Sequence, residues 1–108
     1  MTKTVVLITA ALLVLGAYTV TAAEIHPQRQ AELFYLLKHD CGSCHGMRLE
    51  GGLGPALTAK RLAPYGVEFL ALTIIQGRPG TPMPPWRPFI TEQEAFWLAG
   101  QLKQGVNQ

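Results

Sequence analysis

Apolar residues fall in two regimes along this chain. From Val5 to Val20 they run almost without a break. Beyond Glu24 they recur every three or four residues, in three separate stretches. In the first, Leu33, Leu36 and Leu37 stand at helical spacing with Phe34 beside them, and Arg29, Gln30, Glu32 and Lys38 fill the other face. This predicts a helix that Pro27 can open at its first position and that ends near Asp40. The second stretch, Tyr65 to Gln76, carries Val67, Leu70, Ala71, Ile74 and Ile75, and Gly77 stops it. The third begins at Thr91-Glu92-Gln93-Glu94, a capping box with Thr91 at the N-cap, and continues through Ala95, Phe96, Leu98, Ala99 and Leu102 to about Gln104-Gly105. No segment beyond residue 24 alternates with period two, so the fold class is all-α: three main helices joined by long loops.

The loops are unusual. Residues 41–62 hold Gly42, Gly46, Gly51, Gly52 and Gly54 followed by Pro55, which reads as a loop with room for one helical turn at its start. Residues 77–88 read Gly-Arg-Pro-Gly-Thr-Pro-Met-Pro-Pro-Trp-Arg-Pro, a stiff extended segment that can be neither helix nor central strand. Loops this long in so small a domain need something to wrap around.

The apolar N-terminal run changes the domain boundaries. Lys3, the run itself and the small residues Thr21-Ala22-Ala23 have the layout of a secretory signal peptide, with cleavage expected after Ala23. The run is short of the ~20 residues that span a bilayer, although an uncleaved membrane anchor is the alternative. The expected organisation is therefore a signal peptide over 1–23 and one domain over 24–108, a periplasmic protein. Those 85 residues (108 − 23) bury little apolar area, and natural domains of this size usually carry a disulfide, metal or cofactor staple. Without Lys3 the charge is eight Lys+Arg against seven Asp+Glu, and no basic or acidic run exists, so nucleic acid is not an indicated partner.

The staple is sought at the two cysteines. Cys41-Gly42-Ser43-Cys44-His45 is C-x-x-C-H, the spacing of covalent haem attachment. Two thiols on one helical turn can add to the two vinyl groups of the macrocycle, and the next histidine falls under the iron. The rival readings are a disulfide or redox pair, which would want a βαβ context, and a zinc site, which would want a second ligand pair. Four side chains could take the second axial position: Met47, Met83, His26 and His39. Met47 and His39 are tethered too close to the motif, and are expected to be a packing residue and an exposed helix-end histidine. His26 lies in the solvated lead-in. Met83 is 38 residues beyond His45 (83 − 45), enough chain to round the ring, and sits between Pro82 and Pro84. That bracing lowers the entropy a flexible thioether loses on ligation. His/Met ligation suits electron transfer. Trp86, Arg78 and Arg87 are candidates for contact with the propionates.

These segments together resemble the class I c-type cytochromes: Cys41-Gly-Ser-Cys44-His45-Gly46, Gly54-Pro55-Ala56-Leu57 and Thr81-Pro82-Met83-Pro84. The resemblance implies that the Pro55 carbonyl accepts a hydrogen bond from His45, that Leu57 packs on the ring, and that crossing first and last helices bring Leu33, Phe34 and Leu37 against Phe96 and Leu98. Gly51-Gly-Leu-Gly-Pro-Ala-Leu57 and the run from Gly77 to Phe89 extend the likeness to the small NirC-type cytochromes. These are encoded beside the haem-d-containing nitrite reductase of denitrifying bacteria. That resemblance implies one covalent haem c, no enzymatic turnover, and a monomeric electron carrier whose partners are nitrite reductase and an upstream donor. Two alternatives stay open: a role in maturing the reductase's haem d, or a haem enzyme or gas sensor with a labile distal ligand.

Overall fold

The computed structural model describes residues 24–106. The expected signal segment therefore lies outside the described residues. The described chain is helical, with no strand among its residues. In order come α1 (Pro27–Leu36), a π-helical turn (Leu37–Cys41), α2 (Gly42–His45), α3 (Ala59–Leu62), α4 (Val67–Gln76) and α5 (Glu92–Gln104). The all-α class and the three main helices agree with the sequence. Two details differ. The first helix does not stop near Asp40 but widens and runs on through the cysteines to His45. The glycine-rich stretch also contains α3, a single turn too short to leave a periodic signal.

The caps are local chemistry. Pro27 stands at the start of α1, where its missing N–H costs nothing, and the His26 ring accepts from the Gln28 amide at 3.3 Å. Thr58 Oγ1 accepts from the Arg61 amide and starts α3. At α5 both halves of the capping box form: the Glu94 amide donates to Thr91 Oγ1 at 3.1 Å, and the Thr91 amide donates to the Glu94 carboxylate at 2.9 Å.

α5 is the hub. It packs along α4 and across α3. Leu33 and Leu37 from the first helix join Ile75, Leu98 and Leu102 in one buried cluster. The crossing partner of Phe34 is Trp97, whose ring lies 5.0 Å away and tilted 60°; Phe96, expected there, is 38 % exposed. One step along the helix turns a side chain by about 100°, which is enough to exchange core for solvent.

Two polar clasps fix the helices around α5. Arg29 on α1 donates to both carboxylate oxygens of Glu94, at 2.7 and 3.1 Å, and also to Glu32 and the Phe89 carbonyl. The Lys103 ammonium on α5 donates to the carbonyls of Leu62, Ala63 and Tyr65, closing the C-terminal end of α3 with a positive charge.

Glu94 therefore serves a cap and a clasp together. Hydrogen bonds from Arg29 hold its carboxyl below the usual carboxylate range, against the opposing effect of burial. A depressed value stabilises the fold above the ordinary carboxylate pKa of about 4.3, and that stabilisation is lost as pH falls through the lower folded value. Glu94→Ala should cost about 1–2 kcal/mol in denaturant unfolding at neutral pH. The gap between variant and wild type should shrink in acid, below about pH 4.

Candidate functional site

The thiol pair is placed by a widened helix. Gly42 donates its N–H to the Leu37 carbonyl, five residues back, so the turn is π rather than α. Leu37 is buried in the core while Cys41 and Cys44 are half-buried. Ser43 Oγ donates to the Asp40 carbonyl at 2.7 Å, which satisfies an acceptor near the end of the helical run. Both thiols are free. Burial pushes the Cys41 thiol up to about 11, with the Asp40 carboxylate adding to the shift.

His45 ends the helical run, and the glycines after it fold the chain back over that end. Gly46 has φ +93°, and a Cβ there would meet the Gly51 carbonyl at 2.5 Å. The Gly51 amide donates to the His45 carbonyl at 2.8 Å and the Gly54 amide to the Cys44 carbonyl at 2.7 Å, so these helix-end acceptors are satisfied by the loop itself. Leu49 pins the reversal from inside: it takes φ +58°, strain of about 1–3 kcal/mol for such a residue, yet its side chain is 2 % exposed. Burying a leucine returns about the same amount.

This fold-back brings the Pro55 carbonyl to 2.7 Å from His45 Nδ1. A carbonyl can only accept, so Nδ1 carries the proton and Nε2 keeps a free lone pair. The ring is also held in orientation, since a Cβ on Gly54 would lie 2.8 Å from its Cε1 and Nδ1.

Met83 comes from the proline-rich loop. Gly77 turns the chain at φ +66°, where a Cβ would strike Pro84, Pro85 and the Met83 carbonyl at 2.5–2.8 Å. The Arg78 amide donates to the Met83 carbonyl at 3.1 Å, and the Trp86 amide donates to the Ile74 carbonyl on α4. The first bond closes the loop on itself, and the second ties its far end to α4.

A cavity of about 410 Å³ joins these parts. Cys41, Cys44, His45, Pro55, Leu57, Met83 and Trp86, all singled out in the sequence, lie on its wall. Arg78 is on the wall as well; Arg87 is not, and pairs with Glu92 at 3.5 Å. The other axial candidates point elsewhere. His26 caps α1, His39 is exposed with its ring tilted against Tyr35, and Met47, expected to be a packing residue, is 58 % exposed. The sequence reading missed Arg61, Tyr65 and Phe69, which also line the cavity. Arg61 sits on the one-turn α3, and Thr58 three residues earlier was the only available signal. Among the described residues no group of three or more His, Cys, Asp or Glu is arranged to hold a bare ion, so the zinc reading lacks a donor set. A mainly apolar cavity of cofactor size, with a free imidazole nitrogen, a thioether and two thiols on its wall, fits a large apolar ring with a central iron.

Comparison with known proteins places the chain in a class. The family described as Cytochrome C oxidase, cbb3-type, subunit III matches residues 28–100. Cytochrome c55X of Paracoccus denitrificans is 52% identical over 93 residues, 86% of this chain and 90% of the relative. Cytochrome c55X of Pseudomonas aeruginosa is 53% identical over 85 residues, 77% of this chain and 71% of the relative. The solved structure of a c-type cytochrome NirC is 49% identical, covers 77% of this chain and 98% of its own, and superposes with a TM-score of 0.75. The chain belongs to the c-type cytochromes, in the group of small NirC-like proteins. It is an electron-transfer protein with covalently bound haem c, not an enzyme. No helix among the described residues is long and apolar enough to cross a membrane.

Gly54 gives the site its sharpest test. In Gly54→Ala the new methyl and the His45 ring cannot both keep their places, and the Gly54 amide bond to Cys44 prevents the backbone from yielding. The ring should swing and its bond to Pro55 lengthen. Nitrogen NMR of the imidazole in the haem-free protein should then lose the single Nδ1–H tautomer, and intact mass of the mature protein should show a smaller share of chains carrying haem.

Proposed function

We propose that this protein is a periplasmic carrier of single electrons to dissimilatory nitrite reductase, with its one haem held by Cys41 and Cys44 and ligated by His45 and Met83. The observation that carries the reading is the His45 Nδ1–Pro55 bond at 2.7 Å in a cavity whose wall also bears Met83. The bond leaves Nε2 as the ligating nitrogen and raises its basicity. Each thiol would form a thioether by adding across a vinyl group, its proton going to the adjacent carbon. Leu57 and Trp86, on the cavity wall, would pack on the ring and keep water from it. Arg61 and Arg78, both on the wall and in no ion pair among the described residues, would be free to meet the propionates.

Haem, when bound, would supply one-electron chemistry at its iron. His45 and Met83 would hold that iron from the two sides of the cavity and leave no site for a substrate, and the apolar wall would exclude water so that little rearranges on transfer. Met83 would raise the potential by favouring the reduced state. The likeness to NirC-type cytochromes supports the partner, and the export layout of residues 1–23 supports the location.

The carrier role has a direct test. Purified reduced protein should be reoxidised when mixed with haem-d nitrite reductase and nitrite, and much more slowly when the reductase is omitted. In a gene-deletion strain the reductase should still acquire its haem d. A reductase that lacks haem d in that strain would instead place the protein in cofactor maturation. The intact mass of the protein from periplasmic extract should equal residues 24–108 plus one haem; a mass retaining residues 1–23 would mean an uncleaved anchor.

A further inference from the structure

The segment 78–85 contains four prolines, so it has only four backbone N–H groups with which to hold a shape. Three of them are drawn into one small ring of bonds. The Arg78 amide donates to the Met83 carbonyl at 3.1 Å, the Thr81 amide to the Arg78 carbonyl at 3.0 Å, and the Met83 amide to Thr81 Oγ1 at 3.3 Å. The Thr81 hydroxyl closes the ring by donating to the Arg78 carbonyl at 2.6 Å. It is the one side-chain group in the ring, and it accepts and donates at once. Met83 is thereby held at both of its backbone groups, its N–H through Thr81 and its C=O through Arg78.

Proline stiffness alone does not do this. Pro82 and Pro84 fix their own φ, and Pro84 restricts Met83 to extended backbone. They do not decide how the Pro82-Met83-Pro84 segment is angled relative to the rest of the loop. The crosslink from Thr81 to Arg78 and Met83 does.

We propose that Thr81 is the positioning residue for Met83, and that its hydroxyl sets how firmly the thioether stays on oxidised iron. The inference rests on the reading of Met83 as axial ligand. The oxidised state is the sensitive one because a thioether is a soft donor and ferric iron is harder than ferrous. Where the metal–sulfur bond is weakest, the entropy of the loop decides occupancy. Thr81 is exposed, so loss of its hydroxyl leaves the core intact.

The test uses the holoprotein as wild type, Thr81→Val, Thr81→Ser and Met83→Ala. Two signals are followed with temperature in the ferric state: the absorption band of thioether-ligated ferric haem, and far-ultraviolet circular dichroism for global unfolding. Removing the hydroxyl should raise the equilibrium constant for ligand loss roughly fivefold, about the worth of one net hydrogen bond. The band of Thr81→Val should fade well below its global unfolding temperature, the Met83 amide should exchange faster in the folded protein, and Thr81→Ser should behave as wild type. A Thr81→Val band that fades only in step with global unfolding overturns the proposal while leaving Met83 as ligand. A band that survives in Met83→Ala overturns the ligand reading, and this proposal with it.

Discussion

An imidazole that is to bind iron through one nitrogen must have its other nitrogen occupied by an acceptor, or its tautomer and its angle are both free. For His45, the proposed ligand, that acceptor is a backbone carbonyl, and backbone carbonyls cannot be aimed without aiming the chain. The Pro55 carbonyl can reach His45 Nδ1 only because ten residues double back over the end of α2. Gly46 makes the reversal at a backbone angle and clearance that leave no room for a side chain, Gly54 leaves room for the ring, and Leu49 accepts strain so that its side chain can pin the loop to the core. The glycine-rich stretch is thus the support of a single hydrogen bond.

The same economy governs the opposite wall. A thioether is flexible and binds weakly, and around Met83, the proposed second ligand, the chain is rigid: Gly77 at the turn, prolines on both sides of Met83, and a tether from Trp86 to α4. The two walls arrive from distant parts of the sequence, and α5 brings them into register. Its Glu94 takes Arg29 from the first helix and its Lys103 takes the carbonyls behind α3, while the aliphatic core joins α4. Function in so small a protein therefore depends on a few polar contacts at helix ends as much as on buried area.

Much of this was legible in the residues. The capping box at Thr91 and Glu94 formed as its spacing required, because both bonds are local to one turn. The helices of α4 and α5 followed their apolar periodicity, and the residues of the three family segments gather round one cavity. What escaped notice lacked a local signal. The π turn at Leu37–Cys41 looks like ordinary helix in composition, and the single turn expected over the cysteines proved to continue the first helix without a break to His45. Arg61 sits on a turn too short for periodicity. Trp97 rather than Phe96 meets Phe34 because neighbouring residues differ in direction by about 100°, and only the tertiary crossing decides which faces inward.

Lys103 has a practical consequence for anyone attaching this protein to an electrode. Its ammonium is seated on three carbonyls, whereas Lys38 and Lys60, the other lysines among the described residues, are exposed. Amine-coupling reagents will therefore meet two reactive lysines among residues 24–106, not three. Lys60 lies next to Arg61 on the wall of the cavity, while Lys38 lies on the helix that leads into the thiol pair. A film made through lysine chemistry would hold the molecule by the neighbourhood of its redox centre, so electrode currents would report a population sorted by which of those two amines had reacted.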